Sequence, residues 1–143
     1  MKEFHLWSEL IVLLVSSFVS ATLFPGGSEL LLIYYLKNNP SELWWYFSAV
    51  TLGNSLGAIT TYFLGFYVCG KTQKTKSKYF KTWLFCQKHG LWALLLSWLP
   101  VVGDFIPLAA GWLKLPIFRS IVFITLGKAL RYAVITVTTL SLI

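Results

Sequence analysis

The sequence predicts an all-α integral membrane protein built as an inverted repeat, each unit a re-entrant hairpin followed by a transmembrane helix. Three observations carry this. Of the 143 residues, 57% are hydrophobic and only 12% charged, where a soluble domain carries about 25% charge. The run from Leu43 to Gly70 holds no Asp, Glu, Lys or Arg over 28 residues, and about 20 apolar residues suffice to cross a bilayer. Two further apolar stretches are interrupted by Pro and Gly beside a lone acid, a combination that disfavours a straight span.

The first of these stretches, Leu10 to Ser28, is broken by Pro25, Gly26 and Gly27, with Glu29 immediately after and a short apolar run from Leu30 to Leu36. Seven helical residues rise only about 10 Å, far less than the hydrocarbon core of about 30 Å. A hairpin that enters and leaves on one side fits this, because irregular backbone at depth is tolerated where protein buries it. The plain alternative is a span ending at Phe24 with a surface loop after it. Lys37 to Glu42 is a polar turn, and Trp44 and Trp45 stand where an interfacial aromatic belt is expected.

Leu43 to Cys69 is the clearest span, with Gly53 and Gly57 four apart on one face for close helix contact. Lys71, Lys74, Lys76, Lys78, Lys81 and Lys88 follow without an acid, as the positive-inside rule predicts for a cytoplasmic loop. This clustering between apolar regions accounts for the net charge of +7 and argues against nucleic acid as a partner. Cys69 and Cys86 flank the loop, a setting in which thiols stay reduced. Gly90 to Leu113 then contains Pro100, Gly103, Asp104, Pro107 and Gly111. Breaks at Pro100, Gly103 and Pro107 make this a second hairpin, entering from the cytoplasmic side, to which Lys114 and Arg119 return the chain. Ser120 to Ile143 is the last span, about 36 Å long as helix.

The chain therefore reads as a single membrane domain over residues 1–143, with repeat 1 at about 4–69, a basic cytoplasmic loop at 70–90 and repeat 2 at about 91–143. Each half places an acid four residues after a proline, Glu29 after Pro25 and Asp104 after Pro100. Thr51-Leu52-Gly53-Asn54-Ser55-Leu56-Gly57 is echoed by Thr125-Leu126-Gly127-Lys128-Ala129-Leu130-Arg131. One crossing between the units inverts the second, the arrangement in which broken segments meet near the midplane.

Four ionisable residues stand in apolar surroundings: Glu29, Asp104, Lys128 and Arg131. Each costs roughly 3 kcal/mol at the bilayer centre if unpaired, and together they sum to zero. Lys128 and Arg131 are three apart on one helix face. Read functionally, the carboxyls exchange protons and the basic pair holds a phosphate, Arg131 through its planar fork and Lys128 as a point charge. Read structurally, the four only staple hairpins to spans. No metal spacing, P-loop or nucleophile elbow is present in the sequence, so no cofactor, metal or enzymatic activity is expected.

Pro25-Gly26-Gly27-Ser28-Glu29, Gly53-Asn54-Ser55-Leu56-Gly57, Lys88-His89-Gly90 and the run from Pro100 through Phe105-Ile106-Pro107-Leu108-Ala109-Ala110-Gly111 resemble the DedA (VTT-domain, SNARE-associated) membrane proteins. Leu96 to Asp104 and Gly127-Lys128-Ala129-Leu130-Arg131-Tyr132 are similar to its short YqaA-type branch. The resemblance covers nearly the whole chain. It implies two opposed re-entrant hairpins in a multi-pass protein of a bacterial inner (cytoplasmic) membrane. It also implies flipping of phospholipids or of a polyprenyl phosphate carrier, coupled to protons or sodium. Its partners are then membrane lipids, with the oligomeric state left open. The family has arginines where this chain has Ser97 and Gly103; Lys128 and Arg131, with Asp104 as partner, are the expected substitutes. A membrane-homeostasis or assembly factor without transport is the alternative reading.

Overall fold

The computed structural model describes residues 1–22, 26–69, 88–90, 92–99 and 102–143. Every regular element among them is helical. The helices are α1 (Lys2–Thr22), α2 (Gly27–Asn38), α3 (Leu43–Cys69), α4 (Val102–Trp112) and α5 (Ile117–Leu142), with 3-10 turns at Pro40–Glu42 and Leu96–Trp98. Residues 88–90 and 92–95 are helical as well, so the last three residues assigned to the basic loop already belong to the following arm. Pro25, Pro100 and loop residues 70–87 lie outside the described residues.

The chain reverses at Gly26, whose φ of 104° is left-handed and suits a residue without a Cβ. Gly27 then opens α2, which folds back along α1 so that Leu32 and Leu36 share a buried cluster with Leu13. Breaks expected at Gly103 and Pro107 are not breaks: both lie inside α4, and the Gly103 N–H donates to the Leu99 carbonyl at 3.1 Å. Pro107 forfeits one hydrogen bond to the carbonyl four residues back, which is that of Gly103. The helix continues regardless, as proline-containing membrane helices do when neighbours surround the freed groups.

Helix α3 is the axis of the bundle, packed against α1, α4 and α5. It runs parallel to α1, with Tyr46 beside Glu9, Asn54 beside Ser17 and Gly57 beside Ala21. It runs antiparallel to α5, because Asn54 meets Tyr132 while Tyr62 donates to the Leu115 carbonyl. Lys37 and Glu42 thus fall at the end where α1 begins. Lys114 falls at the other end, 5.4 Å over the Phe66 ring. Asn38, where α2 ends, falls at the first end, while Gly90, beside Leu115, and Gly111, beside Tyr62, lie towards the second.

Two of the helices, α1 and α5, are long and apolar enough to cross a membrane. The segment expected as the clearest span is a single helix of 27 residues that carries the polar residues Thr51, Asn54 and Ser55. All three are buried inside the protein, while Leu52, Leu56 and Leu64 face outward.

Close approach of α3 to its neighbours depends on small residues. A Cβ on Gly111 would run into the carbonyl of Tyr62, whereas one on Gly27 would meet nothing within 4 Å. Gly111→Ala is therefore expected to lower stability by about 1–3 kcal/mol through overpacking, and Gly27→Ala to leave it nearly unchanged. Thermal unfolding of both variants in the same detergent micelle checks this.

Candidate functional site

The four charges expected inside the membrane, Glu29, Asp104, Lys128 and Arg131, come together between the two apolar clusters. On α3, Val50 belongs to one cluster and Ala58 to the other, with Asn54 between; on α5, Ile124 and Tyr132 bracket Lys128 and Arg131. Glu29 is the third residue of α2 and Asp104 the third of α4, where the positive end of each helix favours an acid. Two helix starts thereby aim their acids at one stretch of α5.

The pairing is specific. Lys128 Nζ donates to Asp104 Oδ1 at 2.5 Å, and an Arg131 Nη2 N–H donates to Glu29 Oε1. Arg131 Nη1 stands 3.5 Å from Asp104 Oδ1 without completing a hydrogen bond. The Lys128 side chain is fully buried, Arg131 is 6% exposed, Asp104 11% and Glu29 24%. The bases are thus sealed, and Glu29 is the more accessible of the two acids.

A second polar layer adjoins the charges, and sequence reasoning missed its members. Asn54 Nδ2 donates to Tyr132 Oη at 2.8 Å, Tyr132 and Ser28 share a hydrogen bond of 2.9 Å, and Ser28 donates to Ser20 at 3.5 Å. Asn54 and Tyr132 are 2% and 0% exposed. A signal was present: Tyr132 stands four residues after Lys128, on the same helix face, and Asn54 is the only amide side chain in an otherwise uncharged run. Tyr132→Phe removes the shared oxygen and leaves the Asn54 amide only its longer 3.4 Å hydrogen bond to the Ser17 carbonyl. The expected cost is about 1–3 kcal/mol, read by thermal unfolding, with Tyr67→Phe at an exposed position as the control.

Asp104 opens onto a cavity of 380 Å³ bounded by the end of α1, by α3 and by α4, with Ser20, Thr22, Thr60, Thr61 and Leu108 in its wall. The carboxylate thus borders that space with its cations behind it. Releasing either acid leaves Arg131 donors for another anion. Among the described residues, no three metal-ligating side chains cluster.

The chain is similar to the inner membrane protein YqaA of Escherichia coli K12, with 43% identity over 133 residues, covering 92% of each chain. The protein of the same name from Shigella flexneri matches equally. An uncharacterized protein of Haemophilus influenzae is 39% identical over 141 residues, covering 91% of this chain and 87% of its own. No family model matches the chain, and no solved structure matches it.

Proposed function

Because the chain belongs to the family of the inner membrane protein YqaA, we propose that it is a multi-pass lipid transporter of that membrane. Its substrate class is an anionic, phosphate-bearing lipid, moved with proton coupling and without enzymatic chemistry. The resemblance to the DedA proteins points the same way. The two broken segments act as opposed re-entrant hairpins of an inverted repeat, one opening to each side, with their tips at mid-depth.

The observation that carries this reading is the position of the paired charges along α5. Arg131 lies 14 residues after Ile117 and 11 before Leu142, about 21 Å and 17 Å of helix from the two ends. If α5 spans, Glu29 and Asp104 sit near the bilayer centre, where unpaired charge is costly and ionisable groups serve transport by default. Protonation of Glu29 releases Arg131 to a lipid phosphate, and deprotonation returns it.

Reconstitution into liposomes with several labelled anionic lipids, with and without a pH gradient, tests the proposal. Gradient-dependent transfer supports it, and transfer no faster than in protein-free vesicles removes it. One observation favours the staple reading: each of the four charges already has an oppositely charged neighbour. The exchange Asp104→Lys with Lys128→Asp separates the two. Retained activity marks a staple, while lost activity in a folded protein marks a site.

A further inference from the structure

A groove of 580 Å³ runs along the outer face of α1 and ends on α2, lined by Ile11, Val15, Val19, Gly27 and Leu31. Ser20 lies in the wall of this groove and also in the wall of the cavity beside Asp104. An apolar trough and the cavity onto which the Asp104 carboxylate opens therefore meet at one hydroxyl. We propose that the groove holds one fatty acyl chain of a membrane lipid whose polar head occupies the cavity, and that Ser20 donates a hydrogen bond to that head at the junction.

Three features of the molecule select this occupant. The groove lies on α1, a helix long and apolar enough to cross a membrane, and its own Ile11, Val15 and Val19 are exposed, so hydrocarbon surrounds it. From Ile11 to Ser20 the helix rises about 14 Å, the depth of one leaflet of a core about 30 Å thick. That length suits an acyl chain, which fills one leaflet, and is too short for a long prenyl chain. The hydrogen-bond chain is also directional. Asn54 donates to Tyr132, so the Tyr132 proton turns to Ser28 and that of Ser28 to Ser20. Among the described residues nothing accepts the Ser20 proton. It is the loose donor at the end of the relay, and other serines and threonines of α1 spend theirs on their own helix carbonyls.

This assignment rests on the lipid-transport reading but is tested without transport. The protein is placed in nanodiscs containing phosphatidylglycerol with a diazirine in its acyl chain, illuminated, and the labelled residues are mapped by mass spectrometry. A several-fold excess of label at Val15, Val19 and Leu31 over Val134 and Val137 on the outer face of α5 is expected. Gly27→Leu projects into open groove space and is expected to abolish that excess; Ser16→Trp fills the same trough and serves if the first variant does not fold. Ser20→Ala is expected to leave labelling along the groove but to raise the lipid concentration needed to saturate it several-fold. Equal labelling of both helices overturns the proposal, as does an excess that survives both plugs. Stronger groove labelling by a diazirine-bearing prenyl phosphate overturns the acyl assignment. Labelling without transfer removes the transport reading alone, and transfer without labelling removes the groove alone.

Discussion

Asp104→Ala is expected to destabilise the protein by about 3–5 kcal/mol, the cost of stranding one partner of a buried ion pair. The lost carboxylate accepts from Lys128 Nζ, whose side chain has no exposure at all, and it is the anion nearest Arg131 Nη1. Among the described residues no other carboxylate pairs directly with Lys128, since Glu29 pairs with Arg131. The double variant Asp104→Leu with Lys128→Met removes both charges and with them the desolvation cost, so it is expected to recover most of the loss. Denaturant unfolding in micelles, run as a double-mutant cycle, reads the coupling. Equal losses in the single and double variants would show that Asp104 does not hold Lys128. Glu29→Ala is expected to cost less than Asp104→Ala, because Glu29 keeps 24% of its side chain exposed and water partly screens its pair.

Glu29→Gln is expected to abolish pH-gradient-driven lipid transfer while leaving the protein folded and inserted. The amide keeps an oxygen that accepts from Arg131 but cannot take up or release a proton, so the guanidinium is never alternately covered and freed. Asp104→Asn is expected to lose transfer as well, with a measurable loss of stability in addition, because the carboxylate is the acceptor that pairs directly with Lys128. The two variants thus separate along a second axis, transfer against unfolding temperature. Unchanged transfer in both would remove proton exchange at these acids from the mechanism.

How far the sequence could be read depended on how local each cause was. Gly26-Gly27 marks a reversal because Gly26 takes a left-handed backbone, a conformation to which a residue without a Cβ is suited. Pro107 looks like the same mark and is not one, since α4 keeps its neighbours around the missing bond and continues to Trp112. The four charges stand out because lipid tolerates none of them unpaired. Asp104 was legible as a partner of the α5 bases, but the commitment of Glu29 to Arg131 depends on where α2 lands after folding back, which is a tertiary fact. Asn54 and Tyr132 escaped notice for a different reason. An amide among apolar residues and a tyrosine beside an arginine are ordinary near interfaces, and only the packing of α3 against α5 brings them to 2.8 Å. The burial of Asn54 within α3 has the same origin, because the partners of its amide are supplied by α1 and α5.

The depth of the two helix starts is the most direct measurement. Leu30 and Phe105 lie one residue after Glu29 and Asp104 and are 72% and 64% exposed, so each accepts a spin label in a chain whose Cys69 and Cys86 have been replaced by serine. Opposed tips at mid-bilayer predict that both labels collide with dissolved oxygen and are shielded from a water-soluble nickel complex, at depths near the centre. Labels at Trp44 and Lys114 should then report opposite interfaces. A nickel-accessible label at either Leu30 or Phe105, placed at a headgroup surface, would contradict the meeting of acid and base inside the membrane.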